Sequence, residues 1–354
     1  MNDAIVTGDG TSYLQVPVSM LEEPVEPLLD WARSVLATAG YQVQREPVGI
    51  RRRSWSTVAE LTTDRGRVWV KANARGFAHE AALLELLAER APHHVLHPIA
   101  IEARAGWLIT PDGGEVLEAA GPASETDWIE LISGYADLQR EVAPSADRLR
   151  EIGLLDMTPP TLTGWFRRVL NRMDIEPNVT RLFDESQRQH LLDLIPDTQR
   201  WAAELTSSSL PMTVEHNDLH PDNVFVDGAG GRLRIFDWGD AVITHPFICL
   251  GRVLRIVGEP GDDGAPPLPV NATTLRDAYL RRWLPTTGTD IPGRWHREAE
   301  LAEALSSVVM GASWLRLPLG FTAEWGEWFA EILIGYVECA TRLRSRPGTA
   351  PAGY

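Results

Sequence analysis

Hydrophobic positions change period several times along the chain, and each change marks an element. Between residue 24 and about residue 39, Val25, Leu28, Leu29, Trp31, Ala32, Val35 and Leu36 recur at helical spacing, and Gly40 supplies a stop. Residues 47–74 alternate instead and predict two or three antiparallel strands, with residues 58–62 and 67–72 flanking the turn Asp64-Arg65-Gly66. A strongly amphipathic helix over 77–87 follows, then two short apolar runs at 99–101 and 107–109. Thr110-Pro111-Asp112-Gly113-Gly114 breaks the pattern. Beyond residue 115 the period is mostly helical. Trp128, Leu131, Ile132, Tyr135 and Leu138 form one stripe, and further helices are predicted over 163–173 and 187–205, the latter interrupted at Pro196. Others cover 247–257 and about 272–284, 294–316 and 323–343. The exception lies at 212–236. Three short β-type runs, 212–214, 224–226 and 233–236, appear there, the last two joined by the hairpin signal Asp227-Gly228-Ala229-Gly230-Gly231. An arm over 1–22, an acidic Gly- and Pro-rich loop over 258–267 and a tail over 344–354 carry no period.

These elements predict an α+β chain: an arm with an accessory helix (1–46), a small antiparallel-sheet lobe with one main helix (47–112), and a larger, mainly helical lobe (113–354). The length of 354 residues with 44% apolar content suits two lobes with ample cores. Thirty-three basic against 49 acidic residues leave a net charge of −16, which argues against nucleic acid and anionic membranes as partners. That balance suits a cationic small molecule, and equally a plain acidic surface. Cys249 and Cys339 are the two cysteines and sit in apolar contexts without zinc spacing. The start Met1-Asn2-Asp3-Ala4 lacks the features of a secretion signal, and no apolar run reaches membrane-span length, so the expectation is a cytoplasmic protein.

The chemistry concentrates in two segments. His216-Asn217-Asp218-Leu219-His220-Pro221-Asp222-Asn223 reads H-x-D-x-x-x-x-N, and Phe236-Asp237-Trp238-Gly239-Asp240 follows the hairpin. Phosphoryl transfer from Mg-ATP needs a carboxylate to orient and deprotonate the acceptor hydroxyl, and an amide oxygen with a second carboxylate to hold the metal. Asp218, Asn223 and Asp237 supply these groups in that order, at the spacing of a kinase catalytic loop, and the hairpin is expected to bring the two metal ligands side by side. His216 is expected to brace the loop and Asp222 to serve a turn. A competing reading makes His216, Asp218 and His220 the ligands of a metal hydrolase, but leaves Asn223 and Asp237 unexplained.

Together the two segments resemble the aminoglycoside phosphotransferase and choline kinase superfamily, small-molecule relatives of protein kinases, whose signature is H-G-D-L-H-x-x-N followed by I-D-W/F-G-D-A. Asn217 stands where that family usually has Gly, and Cys249-Leu250 where it commonly has Asp-Leu, which puts a buried structural contact in doubt but not the chemistry. The resemblance implies a two-lobed protein-kinase-like fold with ATP and Mg²⁺ in the cleft, Asp218 as base, and Asn223 and Asp237 as magnesium ligands. Lys71, on a strand resembling the ATP-lysine strand of kinases, would contact the phosphates, aimed by Glu80 from the following helix, with Glu85 as the fallback. Ser54 and Ser56, in a loop with Arg51, Arg52 and Arg53 close by, would cover the phosphates, and backbone near Thr110 and Asp112 would meet the adenine edge. Gly113 and Gly114 suit either a hinge or a turn. Asp240 would assist Asp237 or cap the next segment, and Glu324, Trp325 and Glu327 would grip a cationic acceptor, unless the tryptophan is core. The expected reaction is ATP-dependent O-phosphorylation of an aminoglycoside, amino sugar or aminocyclitol. A neutral sugar or a choline- or homoserine-like alcohol, or a nucleotide-binding pseudoenzyme, stays open.

Overall fold

Alternation, helical stripes and breakers each become elements close to where the pattern places them. The computed structural model of the chain describes residues 20, 21, 23–226, 232–258, 268–285 and 288–345; the hairpin turn and most of the arm, acidic loop and tail lie outside the described residues. In chain order the first elements are α1 (Glu26–Thr38), β1 (Val48–Arg52), β2 (Ser56–Thr63), β3 (Gly66–Asn73), α2 (His79–Arg90), β4 (Ala100–Glu102), β5 (Trp107–Pro111) and β6 (Glu115–Val116). Then come α3 (Glu125–Val142), α4 (Ala146–Ile152), β7 (Leu155–Asp156), α5 (Leu162–Ile175), α6 (Pro177–Thr180), α7 (Glu185–Leu192) and α8 (Ile195–Thr206). The last are β8 (Thr213–Glu215), β9 (Val224–Val226), β10 (Leu233–Ile235), β11 (Val242–Thr244), α9 (Cys249–Gly258), α10 (Ala272–Arg282), α11 (Gly293–Ser313) and α12 (Ala323–Ser345). The break at Pro196 separates α7 from α8, with the proline in the first turn of α8, where its missing N–H costs nothing.

The chain divides into two compact units. One comprises Met1–Val116, Val224–Asp240 and Leu315–Leu319; the other comprises Leu117–Asn223, Ala241–Trp314 and Gly320–Tyr354. The first unit holds a five-stranded antiparallel sheet in the order β1-β2-β3-β5-β4. Period-two alternation sends Val68, Val70 and Ala72 of β3 into a core with Leu28, Leu29, Ala32 and Leu36 of α1, and turns Lys71 to the opposite face. The hairpin forms as predicted, antiparallel with Val224 opposite Ile235, and β6 extends it to three strands. Phe225 stacks on Phe236 with ring centroids 4.1 Å apart. A Cβ on Gly113 would lie 2.2 Å from the Phe225 ring, and Gly114 has φ +92°, so close packing and a left-handed turn require these two glycines.

In the second unit α11 is the central helix, its face from Leu301 to Ser313 almost wholly buried and packed on α5, α8, α9 and α12. A small sheet runs β7-β11-β8, with β11 parallel to β7 and antiparallel to β8. Strands of two or three residues are too short to show a period, so β7 and β11 were not legible in the pattern. All three residues of β8 are buried, and the catalytic segment leaves directly from its end. Among the described residues no helix is long and apolar enough to cross a membrane.

Candidate active site

Within the first unit, β3 and α2 bring a lysine and two carboxylates together. Lys71 Nζ lies 2.7 Å from Glu80 Oε2 and 2.6 Å from Asp237 Oδ1. The Lys71 and Glu80 side chains are 14% and 4% exposed. Burial pulls the lysine down, but Asp237 and Glu80 outweigh it and hold the ammonium above its ordinary range. Burial, with repulsion from Asp237, raises the Glu80 carboxyl against the pull of Lys71. Glu85 is exposed, which settles the choice between the two glutamates. Asp237 itself sits at φ +62°, a left-handed conformation that costs a non-glycine residue about 1–2 kcal/mol.

The turn after Asp237 is held by a residue the motif search missed. Arg316 is 1% exposed and donates from Nη1 to the Gly239 carbonyl at 3.3 Å, with its guanidinium 5.9 Å from the Phe77 ring centre. Burial pulls it down to about 10 against the attraction of Asp240. Its position 77 residues beyond Gly239 gave no sequence signal. Neighbouring His79 is kept neutral by burial, Arg316 and Lys71.

Within the second unit, β8 delivers the H-x-D-x-x-x-x-N segment. His216 is fully buried and its Nδ1 accepts the Asp218 N–H at 3.3 Å, which is the bracing expected of it. Asn217 has φ +67°. That explains why glycine is usual there and why asparagine, which tolerates the left-handed region, is an acceptable replacement. Asn223 donates from Nδ2 to the Asp218 carbonyl at 3.0 Å and to Asp218 Oδ2 at 3.3 Å, and meets His220 Nε2 at 3.0 Å. With its Nδ2 so used, Asn223 could hold a metal through Oδ1. Arg252 of α9, a second residue the motifs did not reveal, donates to Asp218 Oδ1 at 3.1 Å. Burial pushes the Asp218 carboxyl up, but the His220 hydrogen bond and the attraction of Arg252, His220 and His216 outweigh it and hold it well below the usual carboxylate range.

Other candidates have structural partners. Ser56 is buried in β2, and its carbonyl accepts the Arg53 N–H at 2.8 Å; the Ser54 carbonyl accepts the Met20 N–H at 3.2 Å. Arg51 stacks on Trp69, and Arg52 donates to the carbonyls of Leu21 and Glu23. Thr110 lies opposite Trp69 in the sheet, and the Asp112 N–H is donated to the Arg67 carbonyl while its carboxylate takes Arg67 Nη2 at 2.6 Å. Trp325 packs edge-on against Phe321 in an aromatic cluster with Trp314, Trp328 and Phe329, Glu327 is 3.9 Å from Arg181, and Glu324 opens α12. Asp240 closes the short turn after Asp237.

The donor chemistry fits magnesium. An amide oxygen and a carboxylate are hard ligands, and Mg²⁺ is commonly held by one or two such groups plus substrate phosphates. Among the described residues no group of three or more His, Cys, Asp and Glu could hold a metal by itself.

Comparison with known proteins agrees with this fold. The structure is similar to macrolide 2′-phosphotransferase type I, at 18% identity over 86% of this chain and 95% of that one, TM-score 0.54. It is similar to the ethanolamine kinase of Plasmodium vivax, at 11% identity over 92% and 90%, TM-score 0.62. It is also similar to a choline kinase from Streptococcus pneumoniae, at 15% identity over 88% and 99%, TM-score 0.56. At these identities the likeness shows the kinase-like α+β fold. No curated protein matches by sequence. A sequence model of one family, described as the phosphotransferase enzyme family, matches residues 51–301, well over half of the chain, and on that match the chain belongs to this family and is a phosphotransferase acting on hydroxyl groups.

Proposed function

We propose that the chain uses Mg-ATP to phosphorylate a hydroxyl of a small amine-bearing acceptor of the aminoglycoside, amino-sugar or aminocyclitol class. The observation that carries the reading is the ionised Asp218 bonded to the Asn223 amide within one loop. Asp218 accepts the hydrogen of the acceptor hydroxyl and aims its oxygen at the γ-phosphorus. The new O–P bond forms, the bond from that phosphorus to the β,γ-bridging oxygen breaks, ADP leaves, and the hydroxyl proton ends on Asp218. With its carboxyl held so acidic, Asp218 acts first as an orienting acceptor and takes the proton late. Lys71, aimed by Glu80, binds the phosphates, and Asn223 Oδ1 and Asp237 would hold the metal. Bound Mg²⁺ neutralises charge on the phosphate oxygens.

The net charge of −16 supports the amine preference. Arg252 favours a second reading, a homoserine-like acceptor whose carboxylate meets the guanidinium. ADP release with a panel of aminoglycosides, aminocyclitols, choline, homoserine, macrolides and neutral sugars separates these. Asp218→Ala is expected to lower transfer by orders of magnitude with nucleotide affinity retained. Nucleotide binding without transfer to any member would make the chain a pseudoenzyme and overturn the proposal.

A further inference from the structure

The segment presenting Asp218 starts with two backbone amides, and side chains take both. The His216 N–H donates to Tyr135 Oη at 2.7 Å, and the Asn217 N–H to Glu215 Oε1 at 3.1 Å. Tyr135 donates in turn to Glu215 Oε2 at 3.1 Å, and Gln139 Nε2 reaches the same oxygen at 3.3 Å. The far side of Gln139 is fixed as well, its Oε1 accepting Tyr279 Oη at 2.5 Å. Glu215 is 1% exposed, and its partners are a phenol, an amide and a backbone N–H, with no arginine or lysine among them. Leaving a carboxyl there is costly, and burial pushes it up to about 8. A position this unfavourable calls for a reason.

We infer that Glu215, together with Tyr135, is the positioning residue of the catalytic loop, anchoring its first two amides at the end of β8. Tyr135 takes the His216 amide and Glu215 the Asn217 amide, and together they keep Asn217 left-handed and Asp218 presented. Glu215 touches no reacting atom and acts through the backbone. The catalytic part of this inference rests on the phosphotransfer reading above.

Two measurements on the full chain test it. Amide exchange followed by mass spectrometry over residues 213–223 is expected to accelerate by about tenfold or more in Tyr135→Phe and Glu215→Ala, with other peptides unchanged, because each variant leaves a buried amide of the segment without its acceptor. Mg-ATP hydrolysis to ADP is expected to lose about tenfold or more in kcat in both variants, with KM for ATP within about twofold. Glu215→Gln, which keeps an amide oxygen for the Asn217 N–H, is expected to retain kcat within about threefold. Unchanged exchange in Tyr135→Phe and Glu215→Ala, or Glu215→Gln as impaired as Glu215→Ala, would overturn the inference. If the unmodified chain releases no ADP above Asp218→Ala, the phosphotransfer reading fails, and amide exchange still decides the anchor.

Discussion

Replacing Lys71 by methionine removes the cation that Glu80 and Asp237 share. The loss falls unequally on them. Asp237 is 49% exposed, so water takes over most of its stabilisation, and that half of the change contributes about 0–1 kcal/mol. Glu80 is 4% exposed and is left as a buried carboxylate without its partner, a situation that costs about 3–5 kcal/mol. The expected sum for Lys71→Met is therefore about 3–5 kcal/mol in urea unfolding followed by circular dichroism. Combining it with Glu80→Gln removes the orphaned charge and is expected to recover most of the loss. With the lysine gone, the Glu80 carboxyl stays raised above its ordinary 4.5. A raised folded value means stability present below 4.5 and lost as pH rises, so the penalty should shrink on acidification. A single-variant cost below about 1 kcal/mol, or a double variant as unstable as the single, would refute the claim that Glu80 is buried for the sake of Lys71.

Other expectations follow from the same geometry. Asn217→Gly should be neutral in thermal unfolding while Asn217→Ala costs about 1 kcal/mol, since only the alanine resists φ +67°; equal effects would deny the left-handed turn. Glu215, pushed up to about 8 from 4.5, contributes stability that is complete below pH 4.5 and lost as pH rises through about 8, so a chemical-denaturation pH series should show that decline and Glu215→Gln should flatten it. Arg316→Met removes the buried donor to the Gly239 carbonyl and should cost about 1–3 kcal/mol by calorimetry; a change below about 0.5 kcal/mol would make the contact incidental.

Much of this protein was legible before any coordinates. Helical stripes such as Trp128–Leu138 and the alternation over 56–73 are local periodicities, and they became α3 and the β2–β3 pair because burying one face needs no distant information. The H-x-D-x-x-x-x-N and D-W-G-D segments were equally local, and the lysine–glutamate pair was implied by the family resemblance, on a strand and a helix adjacent in sequence. What only the tertiary structure decided is which remote polar groups meet them. Arg252 at Asp218, Arg316 behind Gly239, and Tyr135 with Glu215 join residues 34, 77 and 80 positions apart. Arg252, Arg316 and Glu215 are charged side chains that pattern alone assigns to solvent; Arg316 and Glu215 are buried and Arg252 partly so, each beside a specific partner. Asp112 and Trp325 show the converse: residue type does not announce that Arg67 pairs with the one and an aromatic cluster packs against the other. Periodicity sets which face of an element is buried; only packing sets what stands opposite it.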